Sequence, residues 1–212
     1  LDNVGLTGNG DVSIDVSGLT MGSLTVNSTG TKILGNDTGK FVALSQTSRS
    51  WSGIAIDSSN QNVYATVSSG DIYKQTAGSG NFTALVQTSR GWTGITIDSS
   101  NQNVYAAVST GDIYKQTAGA GNFIALSQTS RQWTGITVDS SNQNVYATVV
   151  GGDIYKQTAG AGNFIALGQT SRNWQQIAVD SVTHDVYAVV SNGDIYKQTA
   201  GAGNFIALSQ TS

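Results

Sequence analysis

Four tryptophans, Trp51, Trp92, Trp133 and Trp174, follow one another at intervals of 41 residues, and each keeps the same company. An arginine stands two residues before it (Arg49, Arg90, Arg131, Arg172) and an aspartate six residues after it (Asp57, Asp98, Asp139, Asp180). An indole face, a guanidinium fork and a carboxylate acceptor suit a neutral, hydroxylated ligand such as a sugar, whose ring stacks while its hydroxyls find polar partners. The same groups also serve architecture. Large aromatics at fixed repeat positions pack one repeat on the next, an arginine stacks on an aromatic ring or holds a neighbouring carbonyl, and an aspartate closes an Asx turn. Asp71, Asp112, Asp153 and Asp194 follow glycine at a hairpin, where turn chemistry alone selects them.

Catalysis finds little to work with. The single histidine, His184, lies in the one repeat where Ser-Asn-Gln-Asn has become Val-Thr-His-Asp, so it belongs to a variable loop and is expected to be solvated. The thirteen acidic residues are all aspartates, and those of the repeat stand at equivalent stations, whereas general acid–base work needs two groups in different environments. Cysteine is absent, and the Asp-Ser-Ser-Asn-Gln-Asn loop lacks the spacing and terminal glutamate of a calcium loop. A non-enzyme without metal or cofactor is expected. Charged residues make up only 11% of the chain and the formal net charge is -3, so a nucleic-acid footprint is not expected. Nor is there an apolar run long enough for membrane insertion as a helix. The chain opens at Leu1 without a signal-like head and reads as a processed product or an excised domain.

The elements that must position these residues follow from the repeat. Each unit of 41 residues carries four β-like runs. In residues 48–88 these are Trp51 to Ile56, Val63 to Val67, Asp71 to Thr76 and Phe82 to Val86, with alternating apolar residues and no helical period. Asp-Ser-Ser-Asn-Gln-Asn, Ser-Ser-Gly and Ala-Gly-Ser-Gly-Asn separate them as turns. Four strands in about 40 to 45 residues is the arithmetic of a β-propeller blade. Regular blades fall at 48–88, 89–129, 130–170 and 171–211. Residues 7–47 form a degenerate one, with Phe41, Ala43, Leu44, Gln46 and Thr47 matching the end of a repeat. The expectation is one all-β domain over 1–212, a five-bladed β-propeller. No strand crosses its seam, so closure rests on side-chain packing, or the array continues in a longer parent chain. Tyr64 and Tyr73 and their copies are expected between blades, and Lys74 and its copies next to solvent, where they solubilise.

The order Trp-x-x-Ile, Val-Tyr, Gly-x-Ile-Tyr and Phe-x-x-Leu resembles tectonin-like propellers, including lectins of the tachylectin-2 type. The longer string from Gly-Asp-Ile-Tyr-Lys-Gln-Thr to Gly-Asn-Phe and Gln-Thr-Ser-Arg looks like repeats of tail-fibre and other virion proteins of tailed phages. The resemblance covers residues 30–212. It implies an extracellular or virion-surface setting and sugar sites in loops between adjacent blades, using residues of the Trp, Arg and Asp kind. Because residues 7–47 lack the Arg and Trp, four such sites is the maximum.

Two expectations for function follow. One is an adhesion or receptor-binding module that holds a cell-surface glycan through repeated weak contacts between blades. The other is a structural decoration or extracellular fibre subunit whose repeats pack against neighbouring structural proteins or further copies as a homo-oligomer.

Overall fold

In the computed structural model, residues 43–209 are described, and the account below concerns the unit that begins at Leu44. It is all β: sixteen strands, every pairing antiparallel, in four blades of a β-propeller. Blade 1 holds β1 (Trp51–Ile56), β2 (Val63–Gly70), β3 (Ile72–Gln75) and β4 (Thr83–Ala84). Blade 2 repeats this with β5 (Arg90–Asp98), β6 (Asn103–Gly111), β7 (Ile113–Gln116) and β8 (Ile124–Ala125). Blade 3 has β9 (Arg131–Asp139), β10 (Asn144–Gly152), β11 (Ile154–Gln157) and β12 (Ile165–Ala166). Blade 4 has β13 (Arg172–Val179), β14 (Val186–Val190), β15 (Ile195–Gln198) and β16 (Ile206–Ala207).

Within a blade the strands pair in sequence order, as β1 with β2, β2 with β3 and β3 with β4. The first strands β1, β5, β9 and β13 lie side by side at the inner end, and each blade offers a leading face to its predecessor and a trailing face to its successor. The fourth strands are two residues long, which keeps the outermost sheet edge short. Between β3 and β4 a single 3-10 turn, Thr76–Gly78 in blade 1, carries Ala77 at φ 50°. The unusual angle is held from two sides. Asn62 Oδ1 accepts from Ala77 N at 3.1 Å, and Gln75 Nε2 donates to Gly80 O at 2.7 Å. The Asn of Asn-Val-Tyr-Ala and the Gln of Tyr-Lys-Gln-Thr recur because this turn recurs.

The end of each second strand also pairs with the first strand of the next blade, as Ser68 with Gly91 and Gly70 with Arg90. This pairing lengthens β2 beyond Val67 and lets β5 and β9 begin at their arginines. Among the described residues no strand pairs with the segment before β1, which starts only at Trp51, and β14 stops at Val190.

Of the degenerate blade expected at 7–47, residues 7–42 lie outside the described residues. What is described reproduces the end of a repeat. Ser45 has φ 52°, like Val86 at 56° and Ser127 at 55°, and Phe82 N donates to Gln46 Oε1 at 3.1 Å, as Phe123 N does to Gln87 Oε1 at 3.0 Å.

The core runs through the joints between blades. Tyr64 and Ile72 of blade 1, with Ala55 and Leu85 beside them, cover Trp92, Ile95, Ile97 and Phe123 of blade 2, and the same grouping recurs at the next two joints.

Candidate functional site

Trp92, Trp133 and Trp174 are 1% exposed, whereas Trp51 is 40% exposed. Each indole meets a tyrosine of its own blade nearly edge-on, at 5.3 Å for Trp133 and Tyr155. A phenylalanine lies on another side, at 6.1 Å for Phe164. Two of the indole N–H groups are spent on the preceding blade: Trp92 Nε1 donates to Gly70 O and Trp133 Nε1 to Gly111 O, both at 3.0 Å. Trp174 Nε1 is buried without a partner. The three buried indoles have no face left for a sugar ring.

The arginines sit on the same tyrosines. Arg49, Arg90, Arg131 and Arg172 hold their guanidinium carbons 4.7, 4.5, 4.6 and 4.8 Å from the ring centres of Tyr73, Tyr114, Tyr155 and Tyr196. Each blade therefore contains a stack of Arg, Tyr, Trp and Phe.

The aspartates close Asx turns. Asp57 Oδ1 accepts from Ser59 N at 2.9 Å and from Ser59 Oγ at 2.6 Å, and Asp98 and Asp139 repeat this with Ser100 and Ser141. All three are fully buried; Asp180 is exposed and accepts from Val182 N and Thr183 N at 2.8 and 3.3 Å. Their second oxygens differ. Oδ2 of Asp57 and of Asp98 is buried and meets no donor, whereas Asp139 Oδ2 lies 2.7 Å from Nδ1 of His184 in the next blade. Burial works against the Asp139 charge. The Ser141 hydroxyl, His184 and the Ser141 amide outweigh it and hold the carboxyl below its ordinary range. His184 is thus a bridge between blades 3 and 4, where the sequence suggested a solvated loop residue.

Lysines expected at the solvent edge also join blades. Lys74 Nζ lies 5.1 Å above the Tyr64 ring, and Lys115 Nζ donates to Gly160 O of the next blade at 3.4 Å. Burial, and then the Asp98 charge, push the Tyr105 hydroxyl up to about 12. Burial and the Asp139 charge do the same to Tyr146, also to about 12. The serines after the aspartates form a ladder from blade to blade: Ser58 N donates to Ser99 Oγ at 3.0 Å, Ser99 N to Ser140 Oγ at 3.3 Å and Ser140 N to Ser181 Oγ at 3.3 Å. The hairpin aspartates are structural in the same sense. Asp112 Oδ1 accepts from Ile113 N and Gln128 N at 2.7 and 2.9 Å, tying the hairpin to the end of the fourth strand.

Two places remain open to a partner. On the leading face of blade 1 a cleft of about 450 Å3 is lined by Trp51, Phe82, Ile54 and Leu44, with Gln46 and Ser52 as its polar members. On the outer rim Ile124, Ile165 and Ile206 stand 64–65% exposed at the same station of three successive blades.

Neither a known protein family nor a curated protein sequence matches this chain. Solved structures do. The computationally designed protein Ika4 aligns with a TM-score of 0.58 at 13% identity, over 76% of this chain and 97% of its own. The designed Ika8 protein aligns at 0.58 and 12% identity, over 76% of this chain and 49% of its own. YCF48 from Cyanidioschyzon merolae aligns at 0.60 and 10% identity, over 76% and 56%. This chain therefore spans about half the length of the latter two. The likeness establishes the class, a β-propeller, and at these identities it extends to the fold alone.

Proposed function

We propose that the chain is a non-enzymatic interaction module of an extracellular or virion surface, and that its blades serve assembly by presenting one protein-docking station repeatedly along the rim. The observation that carries this reading is the recurrence of Ile124, Ile165 and Ile206, exposed at matching positions, while the Trp, Arg and Asp sets are engaged in blade architecture. A single exposed isoleucine is ordinary on a protein surface; three in register make a multivalent contact. The resemblance of the repeats to those of phage tail-fibre proteins agrees with a packing role. Sedimentation velocity and electron microscopy test it. Ordered assemblies should form, be unaffected by free sugars, and dissociate when Ile124, Ile165 and Ile206 are all replaced by lysine. A wild-type chain that stays monomeric up to millimolar concentration would rule it out.

A second reading, glycan adhesion, is supported by Trp51. It is the one candidate indole with an open face, and it shares its cleft with Phe82, Gln46 and Ser52, as a lectin of the tectonin kind would require. A glycan array followed by titration tests it: a bound sugar should quench Trp51 and be lost in Trp51→Ala. No binding at millimolar concentration would exclude it.

A further inference from the structure

Blade 4 departs from the others where its first strand would meet a successor. In blades 2 and 3 the residue after the tryptophan is threonine, and its hydroxyl crosses to the next first strand: Thr93 Oγ1 donates to Trp133 O and Thr134 Oγ1 to Trp174 O, both at 2.9 Å. The following residue is glycine in blades 1 to 3, and the next blade lies directly against it. A Cβ on Gly53 would stand 3.2 Å from Gly94 Cα and 3.3 Å from Ile95 N, and one on Gly135 would stand 3.0 Å from both Gln175 O and Gln176 Cα. Most of these atoms are backbone, which cannot swing aside. In blade 4 the two positions hold Gln175 and Gln176, and Gln176 is exposed.

The rest of the trailing face of blade 4 is unchanged in kind. Tyr187, Ile195 and Leu208 occupy the stations of Tyr64, Ile72 and Leu85 and are exposed. Exposed Trp51, Ile54 and Ile56 on the leading face of blade 1 are the apolar complement to such a surface. Two complementary end faces on one chain form a heterologous contact, which yields open filaments when it does not close.

We infer that Gln175 and Gln176 end the regular array: they make the trailing face of blade 4 refuse a regular blade, whether from a second copy or from a further repeat, and admit only a neighbour whose first strand stands back from the joint. The inference is independent of what the rim binds.

The test appends a regular blade. A copy of residues 131–170 with a C-terminal affinity tag is placed after Ser212 of the full chain, once with Gln175 and Gln176 retained and once with Gln175→Thr and Gln176→Gly. Trypsin cleavage at the first arginine of the added blade releases the tag. That arginine is protected only when the blade docks, because docking pairs it into the joint as Arg90 is paired with Gly70. Release should be at least ~10-fold slower in the double variant, since proteolysis follows the population of the open form. Equal release from the two chains, whether fast or slow, would overturn the inference.

Discussion

If the recurring tryptophans are architectural, removing one must cost stability according to how its joint is built. The contrast between Trp133→Ala and Trp51→Ala isolates this, because the two indoles share a sequence context and differ in surroundings. Trp133 is 1% exposed, lies 5.3 Å from Tyr155 and 6.1 Å from Phe164, and donates to Gly111 O of blade 2 at 3.0 Å. Truncating a buried tryptophan costs about 3–5 kcal/mol. Trp51 keeps equivalent ring contacts with Tyr73 and Phe82 at 5.4 and 6.1 Å, but it is 40% exposed and has no printed counterpart to the indole bond of Trp133. Scaling by burial and omitting that bond, Trp51→Ala should cost roughly 1.5–2.5 kcal/mol. The gap of about 1.5 kcal/mol or more corresponds to about 3–6 °C in midpoint for a chain of this size. Thermal melts of the two variants and the parent, followed by far-UV circular dichroism, give the comparison. Equal midpoints, or a lower one for Trp51→Ala, would refute the placement of the buried indoles in the joints.

Three more outcomes follow from the same joints. His184→Gln removes the donor from buried Asp139 Oδ2 and should lower the midpoint, while Gln143→His, which sets an imidazole at the orphaned Asp98 Oδ2, should raise it; each change is about 1 kcal/mol by melting. Because the folded-state value of Asp139 is depressed, its contribution is present above the ordinary carboxylate range and is lost as pH falls through the folded value. Acid titration of Asp139→Asn should therefore show a shallower loss of stability at low pH than the parent. Tyr105 and Tyr146 are raised to about 12, so their contribution is present below the ordinary tyrosine value near ~10 and is lost as pH rises toward the folded value. Tyr105→Phe should stay folded to higher pH, and ultraviolet titration of the parent should show two late-ionising tyrosines.

The strands were legible in the sequence because their alternation and their turn residues are local. The expected run Trp51 to Ile56 coincides with β1, and the third and fourth runs of that blade contain β3 and β4 with a residue or two to spare. What lay beyond reach depends on the neighbouring blade. β2 runs to Gly70 because Ser68 and Gly70 pair with the next first strand, and periodicity within one repeat carries no record of that partner. Lys115 and His184 looked like solvent-edge groups for the same reason; their partners, Gly160 O and Asp139, are 45 residues away in sequence. The 3-10 turn at Thr76–Gly78 escaped because Ala77 is an unusual choice for a positive φ and is held there by Asn62 and Gln75. The candidate site divides along this line. Sequence spacing identified the Trp, Arg and Asp sets, and burial decided which faces were left open. A signal for the joint was nevertheless present, since glycine at 53, 94 and 135 with glutamine at 176 marks three joints and one end.

Acrylamide quenching of intrinsic fluorescence tests the central claim, that the recurring aromatics are consumed between blades, most directly. The account predicts two populations, three tryptophans protected and one accessible, with the accessible component abolished in Trp51→Phe. Four tryptophans quenched alike, or an accessible component that survives Trp51→Phe, would contradict it.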